Sequence, residues 1–457
     1  MQNVFSVFLE IRKILFSGDS RTATVKKNAV IMLIIKGLSL LLSLVMLPLT
    51  IGYVSSSIYG IFVTLNSVVS WFSFFDVGLS SGLKNKYTES KAKGDMILAQ
   101  KYVSTAYAFL SMIAIILLLF LGIFSFFADW NSLLNIQAPE NISYSVFIIV
   151  TYFSLNFVFG AIGIILIADL KPAASSLIGF IQQLISVLVI IILINTTQGS
   201  LLYLCCALCV PPLLTTFIAT LYLFSTKYKD VHPSFSAIDF SLAKDLFTLG
   251  IKFFIIQISC IVLFQTSNYI MIRNFGADVV TQYNVVYKYF FMLNIVFNIL
   301  ITPVWPAVTD AITKKDINWI RSIIKKYTYI TLSFFVIGLF LLLFSKLFIR
   351  LWMGNRVEEI PFLLSFSVFL YVCETMMANL YAQILAGAEI FKLEVIICLV
   401  SPLLFLLLCY IFINILQMGV YCIPIAIVLA NFYGLFISPL QCYLVFFKNK
   451  KGIWAAK

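Results

Sequence analysis

Six charged side chains sit where the surrounding sequence is otherwise apolar. Lys36, Lys252 and Lys288 lie in runs long enough to cross a bilayer, Arg273 closes one such run, Glu374 stands in the middle of another, and Asp76 lies near the end of a third. A charge at bilayer depth costs roughly 2.5–3.5 kcal/mol on insertion scales, so such residues face a partner or a hydrated cavity and mark ion or substrate pathways. Lysines at depth could hold something negative. A carboxyl at mid-depth could bind a coupling ion or proton. Each residue also has a plainer reading. Lys36 and Lys288 could sit in salt bridges, Lys252 could snorkel from a helix end, and Arg273 could cap a solvated terminus. Glu374 could pair with a lysine, and Asp76 could close a helix end before Gly78-Leu79-Ser80-Ser81-Gly82.

The elements that must position these groups are membrane spans. The chain has 457 residues, of which 62% are hydrophobic and 11% charged, a balance that excludes a soluble domain. A spanning helix needs about 20 apolar residues. Twelve segments qualify, near 28–50, 57–82, 102–127, 145–168, 172–195, 201–225, 251–272, 279–306, 327–349, 361–385, 393–414 and 419–447. The expected fold is therefore an all-α integral membrane protein of 12 helices. Residues 1–27 read as an amphipathic cytoplasmic lead-in rather than a signal peptide, because their charges follow a short apolar stretch.

Charge sets the orientation. With the N-terminus in the cytoplasm, 24 of the 31 Lys and Arg fall in cytoplasmic segments and 4 on the other face, with the three lysines above inside spans. Both termini are expected in the cytoplasm. The net charge of +12 is then a topology signal with some attraction to membrane lipids, and nucleic acid is not needed to explain it. All nine cysteines fall in spans. Cys205-Cys206-x-x-Cys209 has no second pair and no histidine nearby, the only one being His232, so these read as core residues; no metal or cofactor is expected.

The chain divides into an N-terminal six-helix bundle over 1–225, a linker over 226–250 and a C-terminal six-helix bundle over 251–457. The halves echo each other. Lys36-Gly37 in the first helix parallels Gly250-Ile251-Lys252 in the seventh, and the loop Thr88-Glu89-Ser90-Lys91-Ala92-Lys93-Gly94-Asp95 parallels Thr309-Asp310-Ala311-Ile312-Thr313-Lys314-Lys315-Asp316. Both loops place a Thr-acid pair seven residues ahead of an Asp. Parallel six-helix repeats suit alternating access around a central cavity.

The segment from Phe75-Asp76-Val77-Gly78 to Lys86-Tyr87-Thr88-Glu89, with the following Ala92-Lys93-Gly94-Asp95, resembles the polysaccharide-transporter branch of the MOP superfamily, the Wzx-type flippases of O-antigen and capsule repeat units. Leu249-Gly250-Ile251-Lys252-Phe253-Phe254 and Leu351-Trp352-Met353-Gly354 fit the same pattern, while the turn Leu385-Ala386-Gly387-Ala388-Glu389 departs from it. The resemblance implies a MATE-like fold of two bundles. It implies transfer of an undecaprenyl-diphosphate-linked oligosaccharide from the inner to the outer leaflet of the cell inner membrane, beside a polysaccharide polymerase and a chain-length regulator. Lys36, Lys288, Lys252 and Arg273 would then face the diphosphate, and Glu374 and Asp76 would serve H+ or Na+ coupling. A MATE-type multidrug antiporter is the alternative, though a cationic substrate would favour acidic rather than basic depth. An enzyme is not expected: the outer loops are short, there is no Asp-x-Asp pair and no Walker-type loop. A lipid II flippase would usually have fourteen spans.

Overall fold

The computed structural model describes residues 20–76, 78–136, 141–169, 171–248, 258–259, 261–390 and 392–455. Lys252 and residues 1–19 of the lead-in lie outside the described residues; residues 20–27 of the lead-in are helical and continue into the first span. In chain order the helices are α1 (Ser20–Val54), α2 (Ser56–Ser70), α3 (Leu79–Ala92), α4 (Met96–Phe127), α5 (Trp130–Leu134), α6 (Ile142–Phe159), α7 (Ala161–Ala168), α8 (Pro172–Thr196), α9 (Leu201–Ser225) and α10 (Ala243–Thr248). They continue as α11 (Thr266–Phe275), α12 (Ala277–Ile301), α13 (Val304–Thr313), α14 (Ile317–Leu343), α15 (Ser345–Met353), α16 (Phe362–Gly387), α17 (Lys392–Tyr410), α18 (Cys422–Ala430) and α19 (Ser438–Phe446). No strand occurs among the described residues.

Among the described residues, ten helices are long and apolar enough to cross a membrane, or eleven if the last bent pair is one span. These eleven correspond to eleven of the twelve segments read from the sequence. The remaining one, 251–272, lies partly outside the described residues. The chain is thus a multi-pass membrane protein. Two boundaries moved for local reasons. The segment 57–82 ends at Asp76, because a 3-10 turn over Trp71–Asp76 and Gly78 at φ 75° break the helix before α3. The segment 327–349 ends at Leu343, and the chain turns into α15, which is charged on one side.

Compactness divides the described residues into two units. Those of 1–54, 75–128 and 140–251 form the first, and those of 55–74, 129–139 and 252–457 the second. In the first unit α1 packs on α8, α4 on α6, and α3 on α4 and α7. Leu79, Leu83 and Tyr87 of α3 are buried against Val103, Ala106 and Leu110 of α4 and against Ile162, Ile165 and Leu166 of α7. Small residues at these contacts, Ala99, Ala106, Ala161 and Ala168, allow the close approach that packing in lipid depends on. In the second unit α16 is the central helix, flanked by α12, α13, α14 and α18, while α2 packs on α11 and α12.

The two matched loops fold alike, each within its own unit. Thr88 Oγ1 donates to the Ala168 carbonyl at 3.2 Å, and Thr309 Oγ1 to the Gly387 carbonyl at 3.0 Å. Lys93 pairs with Glu89 and Lys314 with Asp310, both at 2.7 Å. Gly94 and Lys315 both take left-handed φ, at 76° and 57°. Asp95 and Asp316 then cap α4 and α14 by accepting from Leu98 N and Trp319 N. The internal repeat is therefore structural, down to single hydrogen bonds.

Candidate functional site

In the second unit, α12 and α16 lie side by side and carry several polar residues at depth. Lys288 is eleven residues into α12, about 16 Å along its axis. It is half-buried, and its ammonium donates to Tyr59 Oη at 3.3 Å and stands 5.9 Å from that ring's centre. A cation over an aromatic face is attracted by the ring quadrupole. One turn earlier on α12, Asn284 donates to Asn268 Oδ1 at 3.1 Å, and Asn268 donates to Ser67 Oγ at 2.9 Å. Tyr283, Tyr287 and Phe291 stack along α12, and Tyr287 stacks on Tyr371 of α16 with centroids 5.7 Å apart. Farther along, Asn298 donates to Asn294, and Asn379 of α16 donates to Asn298 at 3.2 Å.

Glu374, midway along α16, is fully buried. Asn431 Nδ2 donates to its Oε1 at 2.7 Å, while Oε2 has no hydrogen-bond partner among the described residues. Asn431 lies where the last span breaks, between α18 and a π turn over Tyr433–Ile437, with a 50° bend. The break turns the Asn431 amide toward α16. Gly434 completes the contact: a methyl built there would lie 2.5 Å from Ala378 Cβ and inside the reach of Glu374 Oε1. Arg273, exposed at the end of α11, donates to Tyr269 Oη at 3.0 Å, and its carbonyl accepts from Asn135 Nδ2.

The first unit holds the other two. Lys36 is exposed on α1, with no hydrogen bond or ion pair among the described residues. Asp76 Oδ1 accepts from Ser80 N at 3.2 Å and from Ser80 Oγ at 2.7 Å, fixing the first turn of α3. The same unit contains a charged cluster at the end of a span. Asp169 accepts from Lys91, from Lys171 and, at 2.8 Å, from Tyr228 Oη. Burial pushes its carboxyl up, but these hydrogen bonds outweigh burial and hold it below the usual carboxylate range. Burial and the nearby Lys171 hold Lys227 down to about 8.

No hydrogen bond or ion pair joins any two of Lys36, Asp76, Arg273, Lys288 and Glu374 among the described residues. Lys288 meets a tyrosine, not a carboxylate, and Glu374 meets an asparagine, not a lysine. Asn268, Asn284, Asn294 and Asn298 stand inside apolar runs and were within reach of sequence reasoning. It missed Tyr59, Tyr287, Tyr371, Asn379, Asn431 and Gly434. The one local signal was Asn431-Phe432-Tyr433-Gly434, an Asn and a Gly in the middle of an apolar run.

This arrangement sits on a known architecture. The sequence profile of the family described as "Polysaccharide biosynthesis protein" matches residues 25–312, more than half of the chain. The chain belongs to that family. It is 24% identical over 275 residues to the "Putative O-antigen transporter" of Salmonella typhi, a match spanning 58% of this chain and 60% of that relative's length. Among solved structures it is similar to an inward-facing multidrug resistance MATE family transporter of the MOP superfamily, with a TM-score of 0.75 at 12% identity over 93% of this chain and 100% of that one. It is also similar to a MOP superfamily transporter of Pyrococcus furiosus, with a TM-score of 0.66 at 13% identity over 96% of this chain and 98% of that one. The fold is therefore MATE-like, as the sequence led us to expect.

Proposed function

We propose that this protein is a flippase. It moves a polyprenyl-diphosphate-linked oligosaccharide, an O-antigen or capsular repeat unit, from the inner to the outer leaflet of the bacterial inner membrane, with both termini in the cytoplasm. Six-helix halves over 1–225 and 251–457 alternate access to the substrate. Lys288 is the observation that carries the reading. In a chain of the polysaccharide biosynthesis family, an ammonium stands mid-span with a tyrosine as its partner and no carboxylate among the described residues.

A diphosphate cannot cross hydrocarbon bare. Lys288 and Lys36, with Lys252 and Arg273, supply counter-charge, and lysine suits a moving phosphate because its charge rides on a flexible stem. Asn284, Asn294, Asn298 and Asn379 offer amides to sugar hydroxyls. Glu374 takes the coupling proton or sodium ion on its unpartnered oxygen; Asp76 is already engaged by Ser80. The protein makes and breaks no covalent bond in this account. It hands its product to a polymerase and a chain-length regulator.

The test is deletion of the gene, followed by probing everted and right-side-out vesicles with an impermeant glycosidase. The account expects the lipid-linked unit to accumulate on the cytoplasmic face and surface polysaccharide to disappear. Lys36→Ala fails to restore export and Lys36→Arg restores part of it. Repeat units that reach the outer face in the deletion strain would contradict the account. So would unchanged surface glycan with raised drug sensitivity, which is the result a multidrug antiporter gives.

A further inference from the structure

At the end of α14 remote from the Asp316 cap, the second unit has a cavity of about 430 Å³, within the usual size of small-ligand sites. It is bounded by α15, the turn after it and the start of α16. α15 is divided into three stripes. Ser345, Ile349 and Met353 are buried, Leu347 and Leu351 are exposed and apolar, and Lys346 and Arg350 are exposed and basic. A short helix with one apolar and one basic exposed side lies in the plane of a membrane interface. The exposed Leu339, Phe340 and Leu343 of α14 lead directly into it, and Phe362 and Leu363 of α16 continue the apolar border.

The charges that line the cavity do not all neutralise one another. Lys346 pairs with Glu359 at 3.2 Å, at the exposed rim. Arg350 and Glu358 line the same cavity, and among the described residues neither has an ion pair, with the other or with any group. One free guanidinium and one free carboxylate, held apart beside an apolar border, match a ligand with a phosphodiester, a primary ammonium and acyl chains. Arginine binds phosphate through a planar fork of donors, and a carboxylate accepts from an ammonium.

We infer that this cavity binds a phosphoethanolamine lipid headgroup, with Arg350 on the phosphate and Glu358 on the ammonium. Leu347, Leu351 and Phe362 meet the acyl chains. The site does not depend on the flippase reading, and it stands or falls separately.

The test is native mass spectrometry of the full-length protein in detergent. Wild type, Arg350→Gln, Arg350→Lys, Glu358→Gln and Lys314→Gln are titrated with dioleoyl phosphatidylethanolamine, dioleoyl phosphatidylglycerol and soluble glycerophosphoethanolamine. Wild type should hold phosphatidylethanolamine about tenfold more tightly than phosphatidylglycerol, the ratio expected for one charge-assisted hydrogen bond. Glu358→Gln should erase that preference. Arg350→Gln should weaken both lipids about tenfold, Arg350→Lys should recover part of the loss, and Lys314→Gln at the other end of α14 should behave as wild type. Equal binding of the two lipids by wild type, or a preference that survives Glu358→Gln, overturns the inference. Binding of the soluble headgroup as tight as that of the lipid overturns its lipid source.

Discussion

Gly434→Ala is the substitution that most sharply examines the Glu374 site. The added methyl would sit 2.5 Å from Ala378 Cβ and 3.2 Å from Ala378 Cα, so part of the clash is with backbone and cannot be relieved by a rotamer change. It also meets Glu374 Oε1, the oxygen that accepts from Asn431 at 2.7 Å. Overpacking of this kind costs about 1–3 kcal/mol. If the Glu374–Asn431 hydrogen bond is lost as well, another ~1–3 kcal/mol follows, because a buried polar group is left unpaired. The expected total is about 2–6 kcal/mol. It should appear as a lower midpoint of thermal unfolding in detergent, with transport falling in parallel. A double-mutant cycle separates the two parts. Adding Ala378→Gly should restore the packing share, and adding Glu374→Ala should make Gly434→Ala cheaper than it is alone. A Gly434→Ala protein as stable as wild type, or full additivity with Glu374→Ala, would refute the close contact and the reasoning built on it.

Glu374→Gln keeps the size and the acceptor for Asn431 but cannot take up a proton, so transport in vesicles should lose its dependence on the ion gradient while the thermal midpoint stays near wild type. Asp169→Asn should lower the midpoint by the equivalent of about 1–3 kcal/mol, since it weakens hydrogen bonds from two lysines. Its pH dependence has a definite sign: the folded carboxyl is held low, so its stabilisation is present above about pH 4 and is lost as pH falls further, and a thermal melt series through that window should decline in wild type and be flatter in Asp169→Asn. Thr88→Val and Thr309→Val each remove one hydrogen bond that ties the last turns of a helix to a neighbouring helix end, and each should cost about 0.5–1.5 kcal/mol by the same melt.

The apolar spans were legible because hydropathy is summed over twenty-odd residues and survives local irregularity. The repeat was legible because Thr88 and Asp95, and Thr309 and Asp316, act on neighbours a few residues away, and the same short pattern gives the same turn twice. What failed was the reading of breaks inside apolar runs. Asp76 was read as a group that could close a helix end, and its bonds from Ser80 do fix one, but the span was still drawn through to 82. Lys346, Leu347, Arg350 and Leu351 spelled an interfacial helix, but the stretch was read as the tail of a span. The partners of the buried charges could not be read at all. Asn431 lies 57 residues from Glu374, and Tyr59 lies 229 from Lys288. No periodicity links such pairs; only the packing of α18 on α16 and of α2 on α12 brings them together.

The most direct measurement uses the purified protein in proteoliposomes with a fluorescent, short-chain polyprenyl-diphosphate oligosaccharide, and follows its movement between leaflets by an impermeant quencher. The account predicts movement that depends on the protein, that is lost in Lys288→Ala and retained in part by Lys288→Arg, and that fails for a neutral analogue lacking the diphosphate. Equal rates with Lys288→Ala, or equal transfer of the neutral analogue, would contradict it.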